Sequence, residues 1–361
     1  MYYTLALTLV PGIGPVNAKS LISYCGSAEK IFKTSTKKLT SVPGIGESTA
    51  AAIVNHDIFR IADEEMQFIE KKKITCLTYW DENYPHRLKN CLDSPILLFY
   101  KGNADLNADK VIGIVGTRNA TDYGKNICEQ VIEGLKEHHI LMISGLAYGI
   151  DIAAHKACVR KNVATVGVVG HGLDRIYPGA HKETAKKMID NGGILTEFIS
   201  NTQPDRQNFP KRNRIVAGMI DALIVVETAE DGGAVITAAL ANTYNRDVLA
   251  FPGDIKNKYS TGCHYLIKTN RAQLIENADD VLTVMNWKEK EMKPKKQREL
   301  FIEFSPEERL IYNALKENIE LAIDELSSKV PLSPSMLASN LLNLEFQNVI
   351  TVLPGKRYKL I

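Results

Sequence analysis

Between residues 111 and 285 the chain alternates short β-branched runs with helical segments, and this alternation constrains the fold more than any other feature. The runs lie at 111–115, 140–143, 163–169, 194–197, 222–227, 248–251 and 273–275 and are apolar on both faces. Strands of a parallel sheet are covered above and below, so they need such runs. The pattern predicts an α/β fold with a doubly wound sheet and right-handed crossovers. Ligands of such sheets sit outside the carboxyl ends of the strands.

Those ends carry polar, glycine-rich turns. Gly116-Thr117-Arg118 follows the first run, Ser144-Gly145 the second, Gly170 the third, and Gly232-Gly233 with Thr237 the fifth. Glycines let a ligand approach backbone N–H groups, and the hydroxyls of Thr117, Ser144 and Thr237 add donors. After the fourth run comes Phe209-Pro-Lys-Arg-Asn-Arg214. It sets Lys211, Arg212, Asn213 and Arg214 at a predicted helix start, with Pro210 at the first helical position. Cations and free first-turn amides both attract phosphate there. The formal net charge is only +2, so a polyanion must be held by a local patch of this kind.

Several classes are excluded by missing signatures. The turn Gly113-x-x-Gly116 is not a dinucleotide fingerprint, and the chain has no P-loop, so no nucleotide cofactor is expected. Six scattered cysteines without a C-x-x-C pair argue against a disulfide framework or zinc site and suit a reducing cytoplasm. No apolar run reaches membrane-spanning length, and the first ten residues lack the cationic start of a signal peptide. Asp151 reads as a helix cap and Asp174 as a clasp for the Tyr177-Pro178 turn.

The flanks differ from the centre. Residues 1–73 read as a helical domain with two segments, Val10-Pro-Gly-Ile-Gly14 and Val42-Pro-Gly-Ile-Gly46, each before a helix. Residues 74–285 form the sheet domain, with a strand at 96–100. Residues 286–300 are charged and read as a linker. Residues 301–361 predict three helices and a hairpin, the order of a winged helix, opened by the capping box Ser305-Pro-Glu-Glu308. The predicted third helix, 335–348, has no Lys or Arg, which favours a protein contact over groove reading.

The ordered set Gly116-Thr-Arg118, Ser144-Gly-Leu-Ala-x-Gly-Ile-Asp151, Gly172-Leu-Asp-x-Ile-Tyr-Pro178, Phe209-Pro-x-Arg-Asn-Arg-Ile-Val-Ala-Gly218, Pro252-Gly253 and Ser260-x-Gly262 resembles the DNA-processing protein A (DprA/Smf) family. The paired Pro-Gly-x-Gly turns resemble tandem helix-hairpin-helix motifs of a SAM-like domain. The resemblance implies an extended Rossmann-like domain that binds single-stranded DNA, a homodimer, no catalysis and no cofactor. It also implies loading of RecA recombinase in natural transformation. Carried over by position, Arg118, Lys211, Arg212, Asn213 and Arg214 stand where the family contacts DNA, and Ser144, Gly145, Gly232 and Gly233 where it offers backbone. His171, His181, Cys263-His264 and Met219-Ile220 depart from the family pattern. Phosphates are expected on residues 116–118 and 211–214, with one or two bases stacked on Phe209, Tyr177 or Tyr148, rings for which core or rim packing is the alternative reading. The sheet more distantly resembles nucleoside-monophosphate phosphoribohydrolases, but 229–237 lacks their closing glutamate.

Overall fold

The computed structural model describes residues 1–54, 57–288, 304–318, 320–347, 349–353 and 356–360. Two compact units result, Met1–Lys288 and Glu289–Ile361.

The first unit is built on a nine-stranded sheet. Its strands are β1 (Thr75–Thr78), β2 (Leu97–Gly102), β3 (Lys110–Val115), β4 (Ile140–Ser144), β5 (Ala164–Val168), β6 (Gly192–Thr196), β7 (Ala222–Val225), β8 (Asp247–Ala250) and β9 (Gln273–Leu274). They lie in the order β1-β2-β6-β5-β4-β3-β7-β8-β9. From β6 to β9 every pair is parallel, whereas β2 runs antiparallel to both β1 and β6. The doubly wound centre is as the sequence predicts, and β1 is an addition to it. β1 has polar threonines at both ends and only four residues, so no apolar run announces it. The chain order reverses at β3, which pairs with both β4 and β7. That switch point opens a crevice at the strand ends.

Alternation along each strand divides the core. Val111 and Val115 join one hydrophobic cluster, Ile112 and Ile114 the other. Each such side chain, fully buried, contributes about 1.5–3 kcal/mol. β2 splits the same way: Leu98 and Tyr100 face the main core, while Leu97 and Phe99 face the N-terminal helices.

Those helices include Tyr2–Leu9, Pro15–Cys25, Glu47–Val54 and Ile58–Lys72. The Pro-Gly-x-Gly segments turn tightly, with Gly12 at φ +80° and Gly44 at φ +83°. The two hairpins pack reciprocally: Gly44 lies against Asn17 of helix Pro15–Cys25, Gly12 against Thr49 of helix Glu47–Val54. His56, expected to end the second helix, lies outside the described residues.

Of the expected linker, 286–288 belong to the first unit. Trp287 packs against its core and Lys288 pairs with Asp279 at 2.6 Å. Residues 289–300 lie outside the described residues. The second unit holds helices Pro306–Lys316, Ile323–Lys329 and Pro334–Phe346, and strands β10 (Leu321–Ala322), β11 (Ile350–Leu353) and β12 (Arg357–Leu360), in sheet order β10-β12-β11. The Ser305–Glu308 capping box is formed. The expected turn at 354–355 lies outside the described residues. Among the described residues, no helix is long and apolar enough to cross a membrane.

Candidate nucleic-acid interface

At the switch point the turn after β3 is pinned from below. Thr117 N–H donates to the Glu227 carbonyl at 2.6 Å, and Ile150 N–H donates to the Thr117 carbonyl at 3.1 Å. The Glu227 carboxylate accepts from Thr121 N–H and from its hydroxyl, at 3.0 and 2.6 Å. Gly149, at φ +80°, lets this turn lie against the 145–149 loop; a Cβ there would meet the Thr117 carbonyl oxygen at 2.1 Å. The backbone is thus fixed while the Arg118 side chain stays exposed. Its guanidinium sits 5.2 Å from the Phe209 ring centroid, a favourable cation–π distance. Tyr177 lies 6.4 Å from Phe209, centroid to centroid.

Three cavities meet at Arg118. One, of about 340 Å³, is walled by Gly116, Thr117, Gly145, Asn213, Gly232 and Gly233. Thr237 also lines it, although its hydroxyl donates to the Gly233 carbonyl at 3.2 Å. An aromatic cleft beside it holds Tyr148, Tyr177, Phe209 and Gly170. The third is a groove between helices Asp122–Leu135 and Ile150–Lys161. The expected residues therefore converge, with exceptions. Ser144 is fully buried, its hydroxyl donating to the Ile114 carbonyl at 2.6 Å, so it supports β3 rather than facing the cavity.

The basic segment divides in two. Its helix spans Asn208–Met219, so Pro210 is its third residue and not its first. Four consecutive residues on a helix point in directions about 100° apart and cannot form one wall. Phe209, Arg212 and Asn213 line the cavity beside Arg118. Lys211 and Arg214 line a different cavity, of about 380 Å³, with Gly14, Ile96, Leu97 and Glu197. Arg214 is paired with Glu197 and donates to the Asp93 carbonyl, its side chain 12% exposed. Burial pushes the Glu197 carboxyl up, opposed by the Arg214 charge. Arg212 is also buried. It donates to the Val168 carbonyl and, through Nε, to Asn213 Oδ1 at 3.1 Å. Lys211 alone of the three is exposed.

Beneath the cavity lies a charged support. Asp151, the second residue of its helix, does not cap that helix. Its carboxylate accepts from Ala147 N–H at 3.3 Å and holds the 145–149 loop. Gly145 passes between Asp151 and Arg212; a Cβ there would lie 2.3 Å from both. Burial pushes the Asp151 carboxyl up and the Arg212 guanidinium down, and each charge opposes the other's shift. His155 Nε2 lies 2.6 Å from the Gly145 carbonyl and Nδ1 2.8 Å from the Thr165 hydroxyl. Burial lowers its pKa to about 4, so it is a neutral strut at pH 7. Asp174 does not clasp the Tyr177 turn: it accepts from Asn201 N–H at 3.0 Å and pairs with Arg175. His171 Nε2 accepts from Tyr177 N–H at 3.2 Å instead, so His171 holds the backbone that carries the Tyr177 ring.

Lys258, Tyr259 and Asn119 also line the cavity and were not picked out from sequence. Asn119 is tied to the Tyr259 hydroxyl at 3.1 Å. The Lys258-Tyr259 pair directly precedes the Ser260-x-Gly262 motif, where helix Thr261–Lys268 begins, and that motif is the signal the sequence offers. Among the described residues no group of three or more His, Cys, Asp or Glu side chains could hold a metal ion.

Comparison with known proteins gives this arrangement a family. Residues 75–286 match the model of DNA recombination-mediator protein A, and residues 4–56 that of a SAM-like helix-hairpin-helix tandem. Protein Smf of Synechocystis is 30% identical over 99% of this chain and 98% of its own length. DNA processing protein DprA of Streptococcus pneumoniae is 38% identical over 64% of this chain and 81% of its own. The X-ray structure of the S. pneumoniae protein superposes with a TM-score of 0.69 at 32% identity, covering 78% of this chain and 97% of that one. DNA processing protein A of Helicobacter pylori, described in its single-stranded DNA binding mode, gives 0.54 at 26% identity over 59% and 96%. With the switch-point crevice and the paired hairpins on one chain, the protein belongs to the DNA recombination-mediator protein A family, the family of DprA and Smf.

Proposed function

We propose that this protein binds single-stranded DNA across the carboxyl ends of β3, β4 and β7, without catalysis. The observation that carries the reading is the exposed Arg118 guanidinium over Phe209, with Tyr177 beside it and the glycine-walled cavity alongside. A single strand offers phosphates and open base faces together, and this site offers cations and ring faces together. Phosphates run along the 116–118 turn and the Gly233 amide, where helix Gly233–Thr243 begins, the Gly232 N–H being already donated to the Ala229 carbonyl at 2.9 Å. Lys258 and Lys211 add exposed charge. Each base stacked on Phe209 or Tyr177 contributes about 1–3 kcal/mol whatever its identity. Asp151 and Asp231 are the carboxylates that line the cavity. Asp231 is exposed, while the buried Asp151 and Glu227 are committed to Ala147 N–H and to Thr121, which supports binding over hydrolysis.

The family reading extends this to a cytoplasmic homodimer that protects incoming DNA and passes it to RecA recombinase in natural transformation. The sheet domain, 74–285, carries the strand. The tail, 301–361, is read as a winged helix that contacts protein, since helix Pro334–Phe346 has no cation and exposes Leu342 and Phe346. The test is anisotropy of labelled oligo(dT) with the wild type, Arg118→Ala and Lys211→Ala. Weaker binding and a shallower salt slope are expected, more for Arg118→Ala. Unchanged affinity and slope in both would refute the assignment. Release of adenine from AMP would favour the phosphoribohydrolase reading.

A further inference from the structure

The third cavity at Arg118 is a groove of about 860 Å³ between helices Asp122–Leu135 and Ile150–Lys161. Apart from Arg118, Asn119 and Tyr148, its lining residues are not those of the turn-and-ring site. Its floor is apolar, made by Ala120, Ile152 and Ala153. Its rims carry Lys125, Lys156 and Arg160, with Glu129 the single acid among its lining residues. Glu129 is matched by Arg160, and Lys125 pairs with Asp122 at 2.9 Å, 93% exposed, a contact of little strength in water. Lys156 is exposed and lines the groove directly. Counting Arg118, the lining carries four cations and one acid.

An apolar floor between cationic rims suits a polynucleotide, whose bases seek cover while its phosphates seek charge. The groove is also continuous with the rings. Tyr148, half-exposed and edge-on to His181 at 4.9 Å, lines both this groove and the aromatic cleft. Asn119 lines both this groove and the glycine-walled cavity.

We propose that the groove is the path by which the bound single strand leaves the site, turning at Arg118 and running between the two helices. This rests on the single-strand reading of the site. It makes the footprint on one protomer longer than the cavity alone would hold. Short oligonucleotides fill the cavity only, and longer ones gain the groove.

The test uses the full chain and oligo(dT) of about 5 and about 15 nucleotides, near the two ends of the usual range of single-strand site sizes. The Lys125→Ala/Lys156→Ala variant is expected to bind the short probe as the wild type does. It is expected to bind the long probe roughly tenfold more weakly, with a salt slope reduced by about 1.4, two phosphate contacts' worth on a single strand. A Lys186→Ala/Lys187→Ala variant removes the same charge from a helix away from the groove and should behave as wild type with both probes. Unchanged long-probe affinity in the groove variant overturns the proposal. So does an equal loss with both probes, or the same loss in the control variant. Arg118→Ala separates the two readings: if it binds both probes as tightly as the wild type, the site assignment itself fails.

Discussion

The two faces of helix Asn208–Met219 carry the same kind of residue and do different work. Arg214 points toward β2 and the N-terminal hairpins and is consumed by Glu197 and Asp93. On the opposite side Arg212 is buried as a support, holding Asn213 and facing Asp151, while Phe209 carries the Arg118 guanidinium in the open. A cation can bind an incoming phosphate only if the fold leaves it uncommitted. In this crevice Arg118 and Lys258 are left so, and the turn that carries Arg118 is held by backbone hydrogen bonds so that its side chain need not be.

The comparison breaks most clearly on stability. Arg212→Ala strands the buried Asp151 carboxylate and should cost about 3–5 kcal/mol in urea unfolding. Arg214→Ala should cost somewhat less, since water reaches part of its pair with Glu197, and should leave oligonucleotide affinity of the folded protein nearly unchanged. If Arg214→Ala weakened binding more than Arg118→Ala did, the division of the helix would be wrong.

The support beneath the cavity gives a pH effect of nearly the same size. His155 has its pKa lowered from 6.5 to about 4 by burial, so the unfolded chain takes up its proton first as pH falls. The stability tied to its neutral form is therefore full above pH 6.5 and lost as pH falls toward 4, by about 3 kcal/mol in all. Comparing wild type with His155→Gln across that window isolates the contribution, because the variant should lack this component of the slope. Equal slopes would contradict it.

Binding effects come next. Arg118→Ala should lower oligo(dT) affinity roughly tenfold and shift unfolding by no more than about 0.5 kcal/mol, as an exposed side chain should. Tyr177→Ala should cost about 1–3 kcal/mol of binding at any salt concentration, because stacking does not release counterions. The smallest effect is expected for Lys211→Ala, exposed on the far face: a modest loss of affinity that vanishes at high salt.

Much of this was legible in the sequence because it is local. β-branched runs fix the parallel strands, and each glycine turn follows its strand within a few residues, so the cavity's walls could be read off. The partition of residues 211–214 was not legible. Each cation there looks alike, and what separates them are partners far along the chain, Asp93 for Arg214 and Val168 for Arg212. β1 was missed because it is a short edge strand with polar ends. Lys258 is not legible because it lies in the segment after β8, which the pairing of β8 with β7 brings to the same cavity as Thr117. His171 stood out as a family departure, yet its role in holding Tyr177 needed the turn's geometry.

The strand is expected on the Arg118 face of the helix, over Phe209 and Tyr177. Photo-cross-linking of a bromouracil-substituted single strand, followed by mass mapping of the attached peptides, reads that location directly. The account predicts adducts on peptides containing Tyr177 and Phe209, lost on competition with unlabelled oligo(dT). Adducts confined to residues 304–360, or to the N-terminal hairpins, would contradict it.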